Sequence, residues 1–329
     1  MKRNFETFQE FMAGARKGRA LTNSIGRKAM TLTRLQGLIL QGYGQGRNDD
    51  YKPWIRVTRG NAPRKSNHVV AATNIAARPV HTLSKMEYCA LRLALWLGAV
   101  EVREQFPNWP WTGSPHPMAG LDPQRDRTLP ATPGLLEIAA QAGILHGSCV
   151  GAPDLPYVAT TDLVIRLGAP PNDRLVFWSC KPAEVLAHPK EGPRAKQRIE
   201  LDRLYASAIG AHHAVYDGTH APGALLANLD WLEPPRSELR NETMATGRAA
   251  FAQAFNDTSA NGAVEQRIRA VATSLAMELP TAQRHFRAVA WQGAIDVDLS
   301  FPIVMSRPLT TGGNQLKRAL YRQLMGGTQ

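Results

Sequence analysis

The chain has 329 residues, 43% hydrophobic and 20% charged, with a formal net charge of +12. That is ordinary globular composition and enough chain for two domains or more. No apolar run approaches the ~18 residues of a membrane span and no hydrophobic core of a signal peptide follows Met1, so a soluble intracellular protein with no membrane partner is expected. Cys89, Cys149 and Cys180 are few and widely spaced, which excludes a zinc-finger spacing and a disulfide framework.

The charge is uneven. Residues 1–80 hold fifteen Lys and Arg against four Asp and Glu. Such an arm favours a polyanion through counterion release, with a nucleic acid as the expected partner. Arg16, Lys17, Arg19, Arg59, Arg64 and Lys65 are its candidate contacts. The first forty residues carry weak helical periodicity (Phe5, Phe8, Phe11, Met12), and Gln41 to Asn67 reads as a linker or extended segment. Within it, Tyr51 to Val57 mixes aromatics with cations, and Lys52, Trp54 and Arg56 suit backbone contact with stacking. A solvated tail and ordinary aromatic packing are the alternative readings.

A helix is expected from Ser84 to Leu97, its apolar positions at Leu83, Met86, Ala90, Leu93, Ala94 and Leu97. Ser84-Lys85-Met86-Glu87 is a capping box, and Gly98 stops the helix. Val100 to Phe106 reads as a strand, Pro107 to Pro133 as a long functional loop, and Leu135 to Ala142 as a short helix. Two apolar strands, Thr160 to Leu167 and Leu175 to Pro182, flank the turn-forming Gly168 to Asp173. A helix from Arg194 to Ile209 and a strand from Ala211 to Tyr216 complete an α/β core. His212-His213 is a surface or strand-end doublet rather than a ligand spacing. Beyond Thr219, four helical segments precede a strand pair (Gly293 to Leu299, Ile303 to Met305) and a basic end with Lys317, Arg318 and Arg322, which together suggest a winged-helix-like domain. The expected divisions are 1–80, a basic extension and linker; 81–218, the α/β core; and 219–329, the winged-helix-like domain.

Asp162 and Lys181 lie at the ends of the two paired strands and should meet if the hairpin closes in its simplest register. Ser179 shares the Lys181 side of its strand, while Trp178 and Cys180 face the other way. A carboxylate beside a lysine suits a divalent metal with a charge-stabilising cation, the equipment for phosphodiester cleavage. Glu87, Glu104 and Glu200 are the carboxylates that could join them. The bland readings stand beside these: Glu87 closes the capping box, Glu104 is a strand-end charge, Glu200 belongs to a solvated helix face, and Asp162–Lys181 is a structural ion pair.

One ordered set of segments adds to this reading: Tyr51 to Arg56, Leu83 to Glu87, Val102 to Pro107, Thr160-Thr161-Asp162, Lys181-Pro182 and Ile199 to Tyr205, with Ala290 to Leu299 near the end. It resembles the TnsA endonuclease family, the 5′-end-cutting subunits of heteromeric cut-and-paste transposases. The resemblance implies a restriction-endonuclease-like fold, a mixed sheet flanked by helices, for residues 81–218. It implies Glu87, Asp162 and Lys181 as catalytic residues and two Mg²⁺ ions, replaceable by Mn²⁺, held at Glu87, Asp162 and the position two before the lysine. That position is Ser179, where the wider superfamily has Glu or Asp and the family often Gln, so metal binding would lean on the Cys180 carbonyl or a neighbouring carboxylate. Glu104 and Glu200 are outer candidates. The resemblance further implies transposon-end DNA, a DDE-type transposase subunit, an AAA+ ATPase regulator met through the C-terminal domain, and a place on the bacterial nucleoid. A stand-alone nuclease, a DNA-binding docking module of the same fold with its chemistry lost, and a basic RNA-associated protein are the alternatives.

Overall fold

The computed structural model describes residues 30–58, 68–70, 73–149, 151–221, 223–259 and 261–327. The candidate DNA contacts Arg16, Lys17, Arg19, Arg59, Arg64 and Lys65 lie outside these residues. The chain forms two compact units, one from Met1–Val70, Val80–Tyr88 and Val100–Asp217, the other from Ala71–Pro79, Cys89–Ala99 and Gly218–Gln329. No helix among the described residues is long and apolar enough to cross a membrane.

The first unit begins with helix α1 (Leu32–Leu40), capped by the Thr31 hydroxyl, which accepts from the Arg34 N–H. Leu35 and Ile39, one turn apart, bury against Trp109, Trp111, Leu155 and Val158. A small antiparallel pair follows, β1 (His68–Val70) and β2 (Val80–Thr82). Helix α2 (Lys85–Trp96) starts in this unit, and β3 (Ala99–Asn108) crosses it. Short helices α3 (Pro123–Asp126) and α4 (Leu135–Gln141) and the pair β4 (Ser148–Cys149) and β5 (Ala152–Pro156) lie between β3 and the long strands β6 (Ala159–Leu167) and β7 (Arg174–Cys180). Helices α5 (Ala183–Ala187) and α6 (Gly192–Ala208) then lead to β8 (His212–Tyr216).

The main sheet has the order β3-β6-β7-β8. β6 and β7 are antiparallel with Leu163 opposite Trp178, and β7 and β8 are parallel with Ser179 opposite Val215. The sheet is therefore mixed and flanked by helices, as a restriction-endonuclease-like core requires. One face packs Phe106, Val164 and Phe177 against Leu135 and Ile138 of α4 and Leu201 and Tyr205 of α6. The Phe177 ring lies 6.2 Å from Phe106 and 6.1 Å from Tyr205. On the other side of β7, Trp178 stacks on Tyr216 at 6.1 Å. Burying aromatics on both faces makes these strands near-continuously apolar, which explains why the hairpin stands out in the sequence.

Residues 41–58 are not a linker. Tyr51 is buried in the core cluster and its hydroxyl donates to the Glu104 carbonyl at 2.9 Å. Trp54 meets Trp109 edge-on at 5.3 Å, Lys52 Nζ donates to the Gln41 carbonyl, and the Arg56 guanidinium sits over the Tyr43 ring. These side chains have intramolecular partners, and Trp54 packs against the cluster of Leu35, Ile39 and Trp109.

The second unit is mainly helical: α7 (Gly223–Leu232), α8 (Arg236–Arg240), α9 (Glu242–Asp257), α10 (Val264–Ser274), α11 (Leu279–Gln292) and α12 (Gly313–Met325). Phe251, Phe255 and Phe286 meet at its centre, with ring separations of 5.8 Å and 5.5 Å along that series. The expected strand pair after Gly293 does not form, so the wing of a winged helix is missing among the described residues. Ile295, Val297 and Leu299 are buried in alternation, which mimics a strand in the sequence. Their loop is instead held by Asn228, whose amide donates to the Leu299 and Phe301 carbonyls, both at 2.8 Å, and accepts from Ile303 N–H at 3.3 Å.

Asn228→Ala removes a buried amide that makes three hydrogen bonds to the 299–303 loop and should cost about 2–3 kcal/mol, read as a lowered urea midpoint with an unchanged slope. A midpoint equal to wild type would show that the loop is held by its apolar side chains alone.

Candidate active site

The site grows from the end of the β6–β7 pair. Asp162 on β6 accepts the Cys180 N–H at 2.7 Å through Oδ2, and the same oxygen lies 3.6 Å from Lys181 Nζ. Lys181 also donates to the Cys180 carbonyl at 3.1 Å. The Asp162 charge raises the Lys181 pKa above its ordinary value, so the ammonium stays charged at any working pH. Asp162 and Lys181 keep 14% and 28% side-chain exposure, which leaves the pair reachable from solvent.

Glu87 faces them from the first turn of α2. Its carboxylate accepts Leu83 N–H at 2.8 Å and the Ser84 hydroxyl at 3.1 Å, while Ser84 Oγ accepts the Glu87 N–H. The Ser84 half of the capping box is thus made, the return bond going to Leu83 N–H one residue earlier, and Glu87 is oriented toward the strand pair. Burial, and then the Asp162 charge, push the Glu87 carboxyl up to about 7.

Gln105 joins the two acids. Its Nε2 donates to Glu87 at 3.1 Å and lies 3.5 Å from Asp162 Oδ1, while its Oε1 accepts the Thr160 hydroxyl at 2.9 Å. Gln105 has φ 47°, a conformation non-glycine residues rarely adopt. That kink breaks the alternation of β3, where Glu101 to Asn108 are all buried. Glu104 therefore does not reach the acids: its carboxylate accepts the His81 N–H at 3.0 Å.

A second network lies beside the first on the same end of the sheet. Asn108 donates to Thr161 Oγ1 at 3.0 Å and to Asp202 Oδ1 at 2.8 Å. Ser179 donates to Asp202 Oδ2 at 2.8 Å and lies 2.9 Å from His213 Nε2. With the Ser179 proton on Asp202, His213 Nε2 must donate to Ser179. Burial foremost, then the charges of His212 and Arg203, lowers His213 to about 4, which keeps the ring neutral. Burial pushes Asp202 up to about 7. Ser179 is thus committed to Asp202 and His213, and Cys180 is a buried thiol whose pKa is raised by desolvation. Glu200 pairs with Arg203 at 2.6 Å on the solvent side of α6. Two residues later, Asp202 is the acid of that helix that reaches the strands; it falls on the Leu201–Tyr205–Ile209 stripe, a signal available from helical periodicity.

Among the described residues no group of three or more His, Cys, Asp or Glu gathers as a metal cage. The donors present are two carboxylates and the Cys180 carbonyl. Burial, and then the Asp162 charge, favour the protonated form of Glu87, a penalty that a cation between the two carboxylates would relieve. An all-oxygen set with that penalty fits a hard divalent cation that keeps several waters.

No family model matches the chain. Over 201 residues, 61% of this chain and 62% of the relative, it is 24% identical to the transposition protein TnsA of transposon Tn7 from Escherichia coli. It therefore spans less than two thirds of that relative's length.

Glu87 titrates near 4.5 when unperturbed and near 7 in the folded chain. Between those values the folded state keeps a proton that the unfolded chain has released, so the Glu87 contribution to stability without metal falls as pH rises from about 4.5 to about 7, while His213, lowered to about 4, contributes with the opposite sign. Asp202 adds to the fall with the same sign. In EDTA, melting curves should show Glu87→Gln gaining stability relative to wild type as pH rises from about 4.5 to about 7. Parallel profiles for the two proteins would refute the assignment.

Proposed function

We propose that the chain is a metal-dependent DNA endonuclease subunit of a heteromeric transposase, nicking the 5′ ends of a mobile element. One observation carries the reading: Asp162, anchored by the Cys180 N–H and beside Lys181, faces Glu87 across the Gln105 amide. The likeness to TnsA supports the biological setting.

Glu87 and Asp162, with the Cys180 carbonyl, would hold Mg²⁺ or Mn²⁺, which supplies Lewis acidity toward a phosphate oxygen and a more acidic water. Asp162 needs no reorganisation, because a backbone N–H already fixes its orientation. Lys181 places a permanent positive charge where charge develops on the phosphate. Gln105 keeps the two acids at a set spacing through one rigid amide. Ser179 does not act as a ligand in this scheme; with Asp202 it braces the end of β7, from which Lys181 projects. Double-stranded transposon-end DNA and a DDE-type transposase are the proposed partners, and residues 219–329 are the proposed docking domain for an AAA+ regulator.

The test is nicking of element-end DNA in Mg²⁺ or Mn²⁺ with the DDE transposase of the same element present. Asp162→Ala should lower 5′ nicking by 10²–10³-fold or more while DNA binding in EDTA is kept. Equal nicking by both proteins would sink the site; no nicking by wild type, with DNA bound, would favour the docking module.

A further inference from the structure

We propose that Arg198 is a phosphate-binding residue of this site, a second cation that takes a DNA phosphate beside Lys181. The inference rests on the nuclease reading for which phosphate is held, but not for the binding itself.

Two contacts fix how α6 lies on β7. Tyr205 packs on Phe177, and Asp202 receives the Ser179 hydroxyl. Residue numbers thus fall along the helix as they rise along the strand, as expected for a helix linking the parallel strands β7 and β8. The next step in the series pairs Arg198 with Lys181. One helical turn, about 5.4 Å, matches two strand residues, about 6.6 Å. The electrostatics agree with this placement: the Arg198 charge lowers the pKa of Lys181, Asp202 and the Tyr157 phenol.

Arg198 is half-buried and makes no hydrogen bond or ion pair among the described residues. Asp202, four residues on, would be its natural helix partner. Instead Asn108 and Ser179 donate to the two Asp202 oxygens. On this placement a guanidinium without a hydrogen-bond partner among the described residues lies near the Lys181 ammonium at the acidic site. Like charges are held together there only at a cost, which a phosphate removes by accepting from both, the guanidinium bidentately.

The test compares wild type, Arg198→Ala, Arg198→Lys and Arg203→Ala by two readouts: binding of a short fluorescent duplex in EDTA across a salt series, and nicking in Mn²⁺ with the transposase present. Arg203→Ala removes the same charge from the exposed Glu200 pair. Arg198→Ala should weaken duplex binding several-fold and lower the salt slope by about 0.9, the value for one phosphate contact. It should also slow nicking by at least ten-fold. Arg198→Lys should restore binding and part of the nicking, and Arg203→Ala should alter neither. Binding and nicking by Arg198→Ala equal to wild type, or losses matched by Arg203→Ala, would overturn the inference even if Asp162→Ala abolishes nicking. If wild type never nicks but Arg198→Ala alone loses affinity, the phosphate site stands and the nuclease reading falls. Melting temperatures of all four proteins separate these outcomes from misfolding.

Discussion

The hydrogen bond from the Cys180 N–H to Asp162 is the constraint on which the site depends. It ties a side chain of one strand to the backbone of its antiparallel neighbour. The β6–β7 register therefore sets the carboxylate position, and a slip of one residue would turn both Asp162 and Lys181 to the wrong face. Burial on both sides of the sheet makes such a slip expensive: Val164 and Phe177 fill one face, while Ile165, Val176 and Trp178 are buried on the other. The packing that stabilises the core is thus also what aims the chemistry.

The same core gathers more acid than it neutralises. Glu87 and Asp202 both stand near 7, each chiefly because burial disfavours its charge. Their amide partners differ: Gln105 bridges Glu87 toward Asp162, whereas Asn108 holds Asp202 against Thr161. Thr160 and Thr161, adjacent on β6, each anchor one of these amides. Two networks result, Glu87 and Asp162 bridged by Gln105, and Asp202 held by the neutral Asn108 and Ser179. Ser179 belongs to the second. Its short hydroxyl reaches Asp202, and a longer acidic side chain there would have to share the space with Asp202.

In the second unit, one buried amide does the work that a β-ladder would do in a winged helix. Asn228 satisfies three backbone groups of the 299–303 loop, so the segment stays irregular while Ile295, Val297 and Leu299 are buried. Alternating burial and strand pairing are separable, and only the first is written in a local pattern.

Local signals in the sequence were enough to determine the α2 capping box, the β6–turn–β7 hairpin, the α6 and β8 that follow, and the helical character after residue 219. Each depends on neighbours within a few positions, where periodicity and turn chemistry act. The meeting of Asp162 with Lys181 was legible for the same reason, since a tight hairpin makes distant partners local. Tertiary structure alone decided that Gln105 takes φ 47° and spans two acids, and that Tyr51 and Trp54 pack against core clusters. Those outcomes rest on contacts between segments tens of residues apart, where burial and hydrogen-bond satisfaction choose among side chains that the local sequence leaves equivalent.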